Sequence, residues 1–364
     1  MSNPVPPSTL TDSKPVPTPP KANRKRLLEL DAFRGIASFG VLLYHYYYYY
    51  FEIIGDPADG IQGFSAGQYG VELFFMLSGF VIFMSLEHSK RIIDFAVSRL
   101  ARLFPVYWLS ILITSIVVHS FGLDAREPSG ELASRAVGLI PTLANFTMLE
   151  EYAGFAKVDG AYWTLTLELS FYFVIAAAYF SGLLKRFHLA AGAAISFFAV
   201  LWGAEEFASF HLPFKIKTLF LVGYGHLFLL GMLLYRHWKS GSNGIGFAFM
   251  ACCIALQFQH GALLGGLVAG FTGLFIAFIK GWLEWITWKP LLFLGSISYS
   301  LYIVHQYVGY VLMRELLERG FGLRITQVIA LIAAILIATG MTYSVEKPAA
   351  KLVRNWWKSR SSAT

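Results

Sequence analysis

Leu30-Asp31-Ala32-Phe33-Arg34-Gly35, continuing through Ile36–Leu43 to Tyr44-His45, opens an apolar run that still carries an acid, an arginine and a histidine. Eleven positions separate Arg34 from His45. At ~100° per residue the net rotation over that separation is about 20°, so both side chains lie on one helix face, ~16 Å apart along the axis. Asp31 falls within about 40° of the same stripe. Ionisable groups inside a membrane helix are costly and mark a functional site by default. The rest of the chain decides whether this is such a helix.

Composition says that it is. Of 364 residues 56% are hydrophobic and 14% charged, against about 25% charged in soluble domains, and the mean hydropathy is +0.56. The fold class is an all-α polytopic membrane protein. A net charge of +7 does not point to a nucleic-acid partner, because the basic residues sit between apolar runs, as topology determinants do. Cys252 and Cys253 are adjacent, which excludes a disulfide framework, and no Cys/His spacing suggests a metal site.

Ten spans are expected: 33–51, 70–86, 105–121, 162–181, 188–203, 217–235, 245–258, 262–280, 292–313 and 325–344. The seventh and eighth are separated only by Gln259, His260 and Gly261, so a tight hairpin and one re-entrant element are both open. Residues 136–149 are too short to span and suit a helix at the outer surface or dipping into the bundle. With the N-terminus inside, the inner segments hold 20 Lys and Arg and the outer ones 8, a bias that supports N-in, C-in with an even number of spans. Residues 1–29, rich in Pro, Ser and Thr, read as a disordered cytoplasmic tail. Residues 30–348 form the transmembrane domain, and 349–364 a basic cytoplasmic tail, too short to be a fused soluble domain.

Polar residues in the spans define the candidate site. Arg34 has a plain reading as a snorkelling side chain, which does not account for His45. In Gly67-x-x-Gly70-Val71-Glu72 the carboxylate lies near the outer end of a span, as a ligand or a cap, and Ser78 and Gly79 beyond it allow close helix approach. Arg99 and Arg102, i and i+3 in an inner loop, share a face. They suit a phosphorylated partner or simple positive-inside anchoring. In Trp163 to Tyr172, Glu168 sits about two turns into a span and needs a polar cavity or a cationic partner. Gly295 to His305 repeats hydroxyls, among them Tyr299, which helix–helix hydrogen bonds would use. The tyrosines at 44 and 46–50 suit an aromatic belt or sugar stacking.

Together these clusters resemble the membrane-bound acyltransferase-3 family, which O-acylates glycans and other hydroxyl acceptors. The resemblance runs from residue 30 to about 348. It rests on Arg34-x10-His45, the Gly70–Phe80 block, Arg99-x-x-Arg102 with Pro105 and Tyr107, Trp163 to Glu168 with Tyr172, Gly295 to His305, and Tyr343-Ser344-Val345-Glu346-Lys347-Pro348. Glu72 stands where the family more often has Asp. The resemblance implies ten or more spans, a cytoplasmic acyl-CoA donor, a catalytic histidine at His45, and donor binding by Arg34, Arg99 and Arg102. On this basis His45 is the expected general base, with Glu168 orienting it and Asp31 pairing Arg34. Glu72, Trp163, Tyr172, Tyr299 and His305 are expected to bind substrate. No permanently bound cofactor or metal is expected, only acetyl-CoA or another acyl-CoA as co-substrate. The acceptor is a glycan or lipid-linked oligosaccharide, as for xanthan-type acetylases. Membrane lipids and polysaccharide-assembly proteins are further partners, and the location is the bacterial inner membrane. The competing class is a glycan transporter or flippase that uses the same charges as a conduction path.

Overall fold

The computed structural model describes residues 27–126, 132–207 and 212–361. Most of the expected N-terminal tail lies outside the described residues. The chain forms α1 (Leu28–Tyr44), a π-helical stretch His45–Tyr49, α2 (Tyr50–Ile53), α3 (Gly70–Glu87), α4 (Ile92–Phe121), α5 (Leu139–Asn145), α6 (Glu150–Ala153), α7 (Trp163–Phe180) and α8 (Phe187–Phe207). It continues with α9 (Phe214–Leu219), α10 (Gly225–Ser240), α11 (Gly244–Phe258), α12 (Ala262–Ile279), α13 (Lys289–Glu318), α14 (Leu323–Met341), a second π-helical stretch Thr342–Glu346, and α15 (Lys347–Ser361). The strands among the described residues are a short hairpin, β1 (Asp124–Arg126) and β2 (Leu132–Ser134), with Ala125 opposite Ala133. This is an all-α polytopic membrane protein. Helices satisfy their own backbone polar groups, which a bilayer interior cannot do.

Among the described residues seven helices are long and apolar enough to cross a membrane. The expected first, sixth and seventh spans are not in that set. α1 is 17 residues long and is extended by the π stretch, and α11 is apolar but has 15 residues. The expected span 217–235 is not one helix: it breaks between α9 and α10, where Leu221 has φ +58° and Gly223 φ +97°. Gln259–Gly261 is a turn between two separate helices, α11 and α12, so the hairpin reading holds. The span expected at 70–86 is α3, and a separate 3-10 stretch from Gln62 to Tyr69 precedes it and lies along α1. Arg99 and Arg102 are not in a loop, because α4 starts at Ile92 and carries both within its first three turns. α5 keeps Leu139, Ile140 and Leu143 exposed on the flank of the bundle, tied to α4 by the Trp108 indole N–H donating to the Phe146 carbonyl (2.9 Å).

α13 is the central helix, with 67% of its most apolar window buried. The Leu183–Phe207 segment that contains α8 buries only 11% and presents its apolar surface outward. Small residues set the closest helix crossings, as expected where lipid removes the hydrophobic drive for association. A Cβ on Gly295 of α13 would strike the Asp31 carbonyl of α1, and one on Gly35 would strike the backbone of Leu291 and Gly295. Gly79 of α3 and Gly231 of α10 make a reciprocal contact, each against the other helix's carbonyls at Phe228 and Met76. These contacts press α1 between α3 and α13 and fix where its polar stripe points.

Candidate active site

The stripe on α1 opens into two cavities. The first, about 790 Å³ of space that includes open solvent, takes Arg34 from α1, Ser78 from α3, Arg99 and Arg102 from α4, Glu168 and Tyr172 from α7, and Tyr299 and Tyr302 from α13. The second encloses about 1760 Å³ of space open to the surface. His45, Glu72, Trp163, Tyr224 and Gln306 line it, as do Arg126 of β1 and Arg135, which follows β2. Val71 and Tyr302 line both cavities and form the wall between them. Arg34 and His45 thus serve one face of α1, as their spacing requires, at opposite sides of that wall.

In the arginine cavity, three guanidiniums converge. Arg34, Arg99 and Arg102 make no hydrogen bond or ion pair with a described protein group, and the Arg99 Nε is buried without a partner. The carboxylates whose charge reaches Arg34 are Asp31, Glu168 and Glu346. Glu346 is fastened by the Ser300 hydroxyl (2.9 Å) and the Thr342 hydroxyl (3.2 Å). Glu168 accepts from the Tyr172 hydroxyl (2.5 Å) and the Ser78 hydroxyl (3.2 Å). It does not meet His45, so the expected pairing of those two is replaced by a Glu168–Tyr172–Ser78 group beside the arginines. The axial offset between α1 and α7 puts Glu168 level with Arg34 rather than with His45. Tyr172 and Tyr299, expected with the acceptor, also belong to the arginine cavity; Tyr299 donates to the Leu103 carbonyl (3.3 Å).

In the histidine cavity, His45 is 9% exposed. Its Nδ1 lies 3.5 Å from the Tyr310 hydroxyl, and its ring centroid is 4.8 Å from that of His305, at 76°. His305 is buried behind it, with Nδ1 at 2.8 Å from the Tyr302 carbonyl and 3.2 Å from that of Leu301. A carbonyl only accepts, so Nδ1 carries the proton, and in the neutral ring Nε2 holds a lone pair. That Nε2 is buried and has no hydrogen-bond partner. Glu72 and Trp163 face the same space, and the Glu72 Oε2 is unpartnered.

His45 begins the π-helical stretch. Such turns are uncommon, cluster at functional sites and free backbone groups from the α ladder. Here the Tyr46 carbonyl accepts from the Gln327 side chain of α14 (3.1 Å), and the Tyr46 hydroxyl donates to the His305 carbonyl (2.7 Å). The tyrosine run is therefore not a simple belt. Tyr46 and Tyr50 are inside the protein, and Tyr44 and Tyr49 stack at 5.3 Å in the cavity wall. Reading the sequence gave no site role to Tyr310, Tyr302, Ser78 or Tyr224. Tyr302 and Tyr310 lay in or beside the 295–305 block, but nothing local said which cavity they would face. Tyr224 reaches its place only because the chain breaks before α10.

Outside the spans, Glu150 on α6 is fully buried with both carboxylate oxygens unpartnered, and burial pushes it up to about 7. It lies near the Tyr107 hydroxyl, which is also unpartnered, and away from both cavities.

The chain is similar to several known proteins. The exopolysaccharide production protein ExoZ of Rhizobium meliloti (strain 1021) is 25% identical over 323 residues, covering 78% of this chain and 90% of its own length. An O-acetyl transferase of Shigella phage Sf6 is 30% identical over 156 residues, 41% of this chain and 44% of its own. The acyltransferase MdmB of Streptomyces mycarofaciens is 27% identical over 151 residues, 40% and 38% of the two chains. No solved structure matches the chain. The family profile described as "Acyltransferase domain" matches residues 27–343, from the first turn of α1 to the second π stretch. The chain belongs to the acyltransferase-3 family of membrane-bound O-acyltransferases.

Proposed function

We propose that this protein transfers an acetyl group from cytoplasmic acetyl-CoA to a hydroxyl of a cell-surface or secreted glycan, such as an exopolysaccharide unit, in the bacterial inner membrane. The observation that carries the reading is the convergence of Arg34, Arg99 and Arg102 on one cavity without a protein ion pair, across a two-residue wall from a histidine in a separate open cavity. Guanidiniums hold phosphate oxygens by charge-assisted hydrogen bonds, and this set fits the diphosphate of a coenzyme A thioester. The exopolysaccharide name and long overlap of ExoZ support the acceptor class.

In this reading the chain has ten spans with both ends inside, which puts the arginine cavity toward the cytoplasm and the histidine cavity toward the outside. The lysines and arginines between the spans support that orientation. The placement of both ends on one side is supported by α1 starting against the start of α13 and α15 following from the Glu346 segment bonded to the same part of α13. Residues 30–348 are the acyltransferase domain. The extended pantetheine arm covers the ~16 Å between Arg34 and His45, passing Val71 and Tyr302.

His45 then acts as general base. A sugar hydroxyl is a weak nucleophile until its proton is removed, and such assistance supplies ~10²–10⁴-fold. His45 takes the proton as the hydroxyl oxygen attacks the thioester carbonyl. The C–S bond breaks, and the imidazolium returns the proton to the departing thiolate. His305 takes the orienting role expected of Glu168 by packing edge-on against the His45 ring, 4.8 Å between centroids. Glu72, Trp163 and Tyr224 hold the acceptor, while Glu168 and Tyr172 keep the arginine cavity ordered.

The test expresses wild type and His45→Ala at equal membrane levels and measures O-acetyl groups on the cell's glycans by mass spectrometry. Loss of acetylation in the variant with glycan export intact is the expected result. Undiminished acetylation overturns the base assignment. A fall in export with unchanged acetylation would instead make the protein a transporter.

A further inference from the structure

α15 follows the last span and packs on α4, the helix that carries Arg99 and Arg102. Two ties fix its register. Near its end the Trp357 indole donates to Asp94 Oδ1 (2.8 Å), and the Arg91 guanidinium lies 5.8 Å from the Trp357 ring. At its root, Glu346 is bonded to Ser300, the neighbour of Tyr299, whose hydroxyl reaches the Leu103 carbonyl. Glu346 thus sits level with Leu103 and Trp357 level with Asp94, so α15 runs antiparallel to α4. Arg354, one turn before Trp357, comes alongside the turn of α4 that leads to Arg99, and its charge is felt there.

Arg354 is exposed and makes no hydrogen bond or ion pair with a described residue. It belongs to a helix with five basic residues and no acidic one: Lys347, Lys351, Arg354, Lys358 and Arg360. Like charges brought together without a counter-ion repel, and the arrangement gains when an anion binds among them. Arg354 is exposed, close enough to Arg99 of the arginine cavity for its charge to act there. A coenzyme A thioester that points its acyl group inward presents its phosphates in a fixed order. The diphosphate comes first, and the ribose 3′-phosphate is the outermost.

We propose that Arg354 extends the anion site to the mouth of the arginine cavity and binds the 3′-phosphate of the donor, leaving the diphosphate to Arg99 and Arg102. The inference rests on the acyl-CoA reading above. It assigns to α15 a part in donor selection: discrimination between coenzyme A and carriers that lack the 3′-phosphate.

The test measures binding of coenzyme A and of 3′-dephospho-coenzyme A to the purified full-length protein in micelles by titration calorimetry. Wild type, Arg354→Ala, Arg354→Lys and, as a charge-matched control on the same helix, Lys351→Ala are compared. Arg354→Ala is expected to weaken coenzyme A binding about tenfold, the worth of one charge-assisted contact, and to leave dephospho-coenzyme A binding unchanged. Arg354→Lys recovers part of the loss, and Lys351→Ala leaves the preference between the two ligands intact. Equal weakening toward both ligands, or none toward either, overturns the assignment; equal weakening would make Arg354 a general charge at the membrane surface. A wild-type protein that binds neither ligand overturns the donor reading itself, and this assignment with it.

Discussion

Gly295→Ala tests the contact on which the site depends. In an exposed helix position, replacing Gly by Ala gains about 1 kcal/mol from backbone entropy. Gly340 of α14 meets nothing within 4 Å of a built Cβ and serves as the reference, so Gly340→Ala should gain about that amount. At Gly295 the same methyl meets the Asp31 carbonyl, which is backbone and cannot rotate away, so α1 must retreat. Overpacking of this kind costs ~1–3 kcal/mol, which leaves the variant between unchanged and about 2 kcal/mol less stable than wild type. The gap between the two variants, ~1–3 kcal/mol, is the overpacking cost alone. Arg34 is one turn beyond Asp31 on the retreating helix, and a displacement near 1 Å costs ~100-fold in rate. Thermal unfolding in micelles reads the first effect and acetyl transfer to glycan the second. Equal stability and equal activity in the two variants would refute the direct α1–α13 contact and the positioning of Arg34 that follows from it.

Three other outcomes are expected. Val71→Trp fills the wall between the cavities, so turnover should fall by on the order of 10² while coenzyme A affinity in calorimetry stays at the wild-type value; unchanged turnover would mean that the acyl group takes another route. Glu150 holds a proton in the folded state that the unfolded chain gives up, since its value is about 7 against the ordinary 4.5. Its contribution is therefore complete below about pH 4.5 and is lost as pH rises through about 7, a change on the order of 3 kcal/mol. Glu150→Gln should flatten the dependence of melting temperature on pH between 5 and 8, and an unaltered slope would reject the role of this carboxyl. Tyr46→Phe removes the bond to the His305 carbonyl and should cost about 1 kcal/mol, with a fall in turnover at unchanged coenzyme A affinity.

Much of this protein was legible one helix at a time. Hydropathy and the spacing of basic residues specify an all-α membrane protein, because a bilayer leaves the backbone few other options. The eleven-residue interval from Arg34 to His45 and the three-residue interval from Arg99 to Arg102 place each pair on one face, since azimuth along a helix is a local property. Which helix faces which, and at what height, is not local. Glu168 joins the arginines rather than His45 because the crossing of α7 with α3 sets its level. His305, 260 positions from His45 in the chain, reaches it only because glycines at 35 and 295 let α1 and α13 touch. The π turn at His45 depends on Gln327 of α14 to receive a carbonyl it frees. The break before α10 that delivers Tyr224 runs against an apolar pattern that reads as one span. The sequence by itself determined the chemistry carried on each face; close packing between helices decided the two cavities, the wall between them and which residues share each.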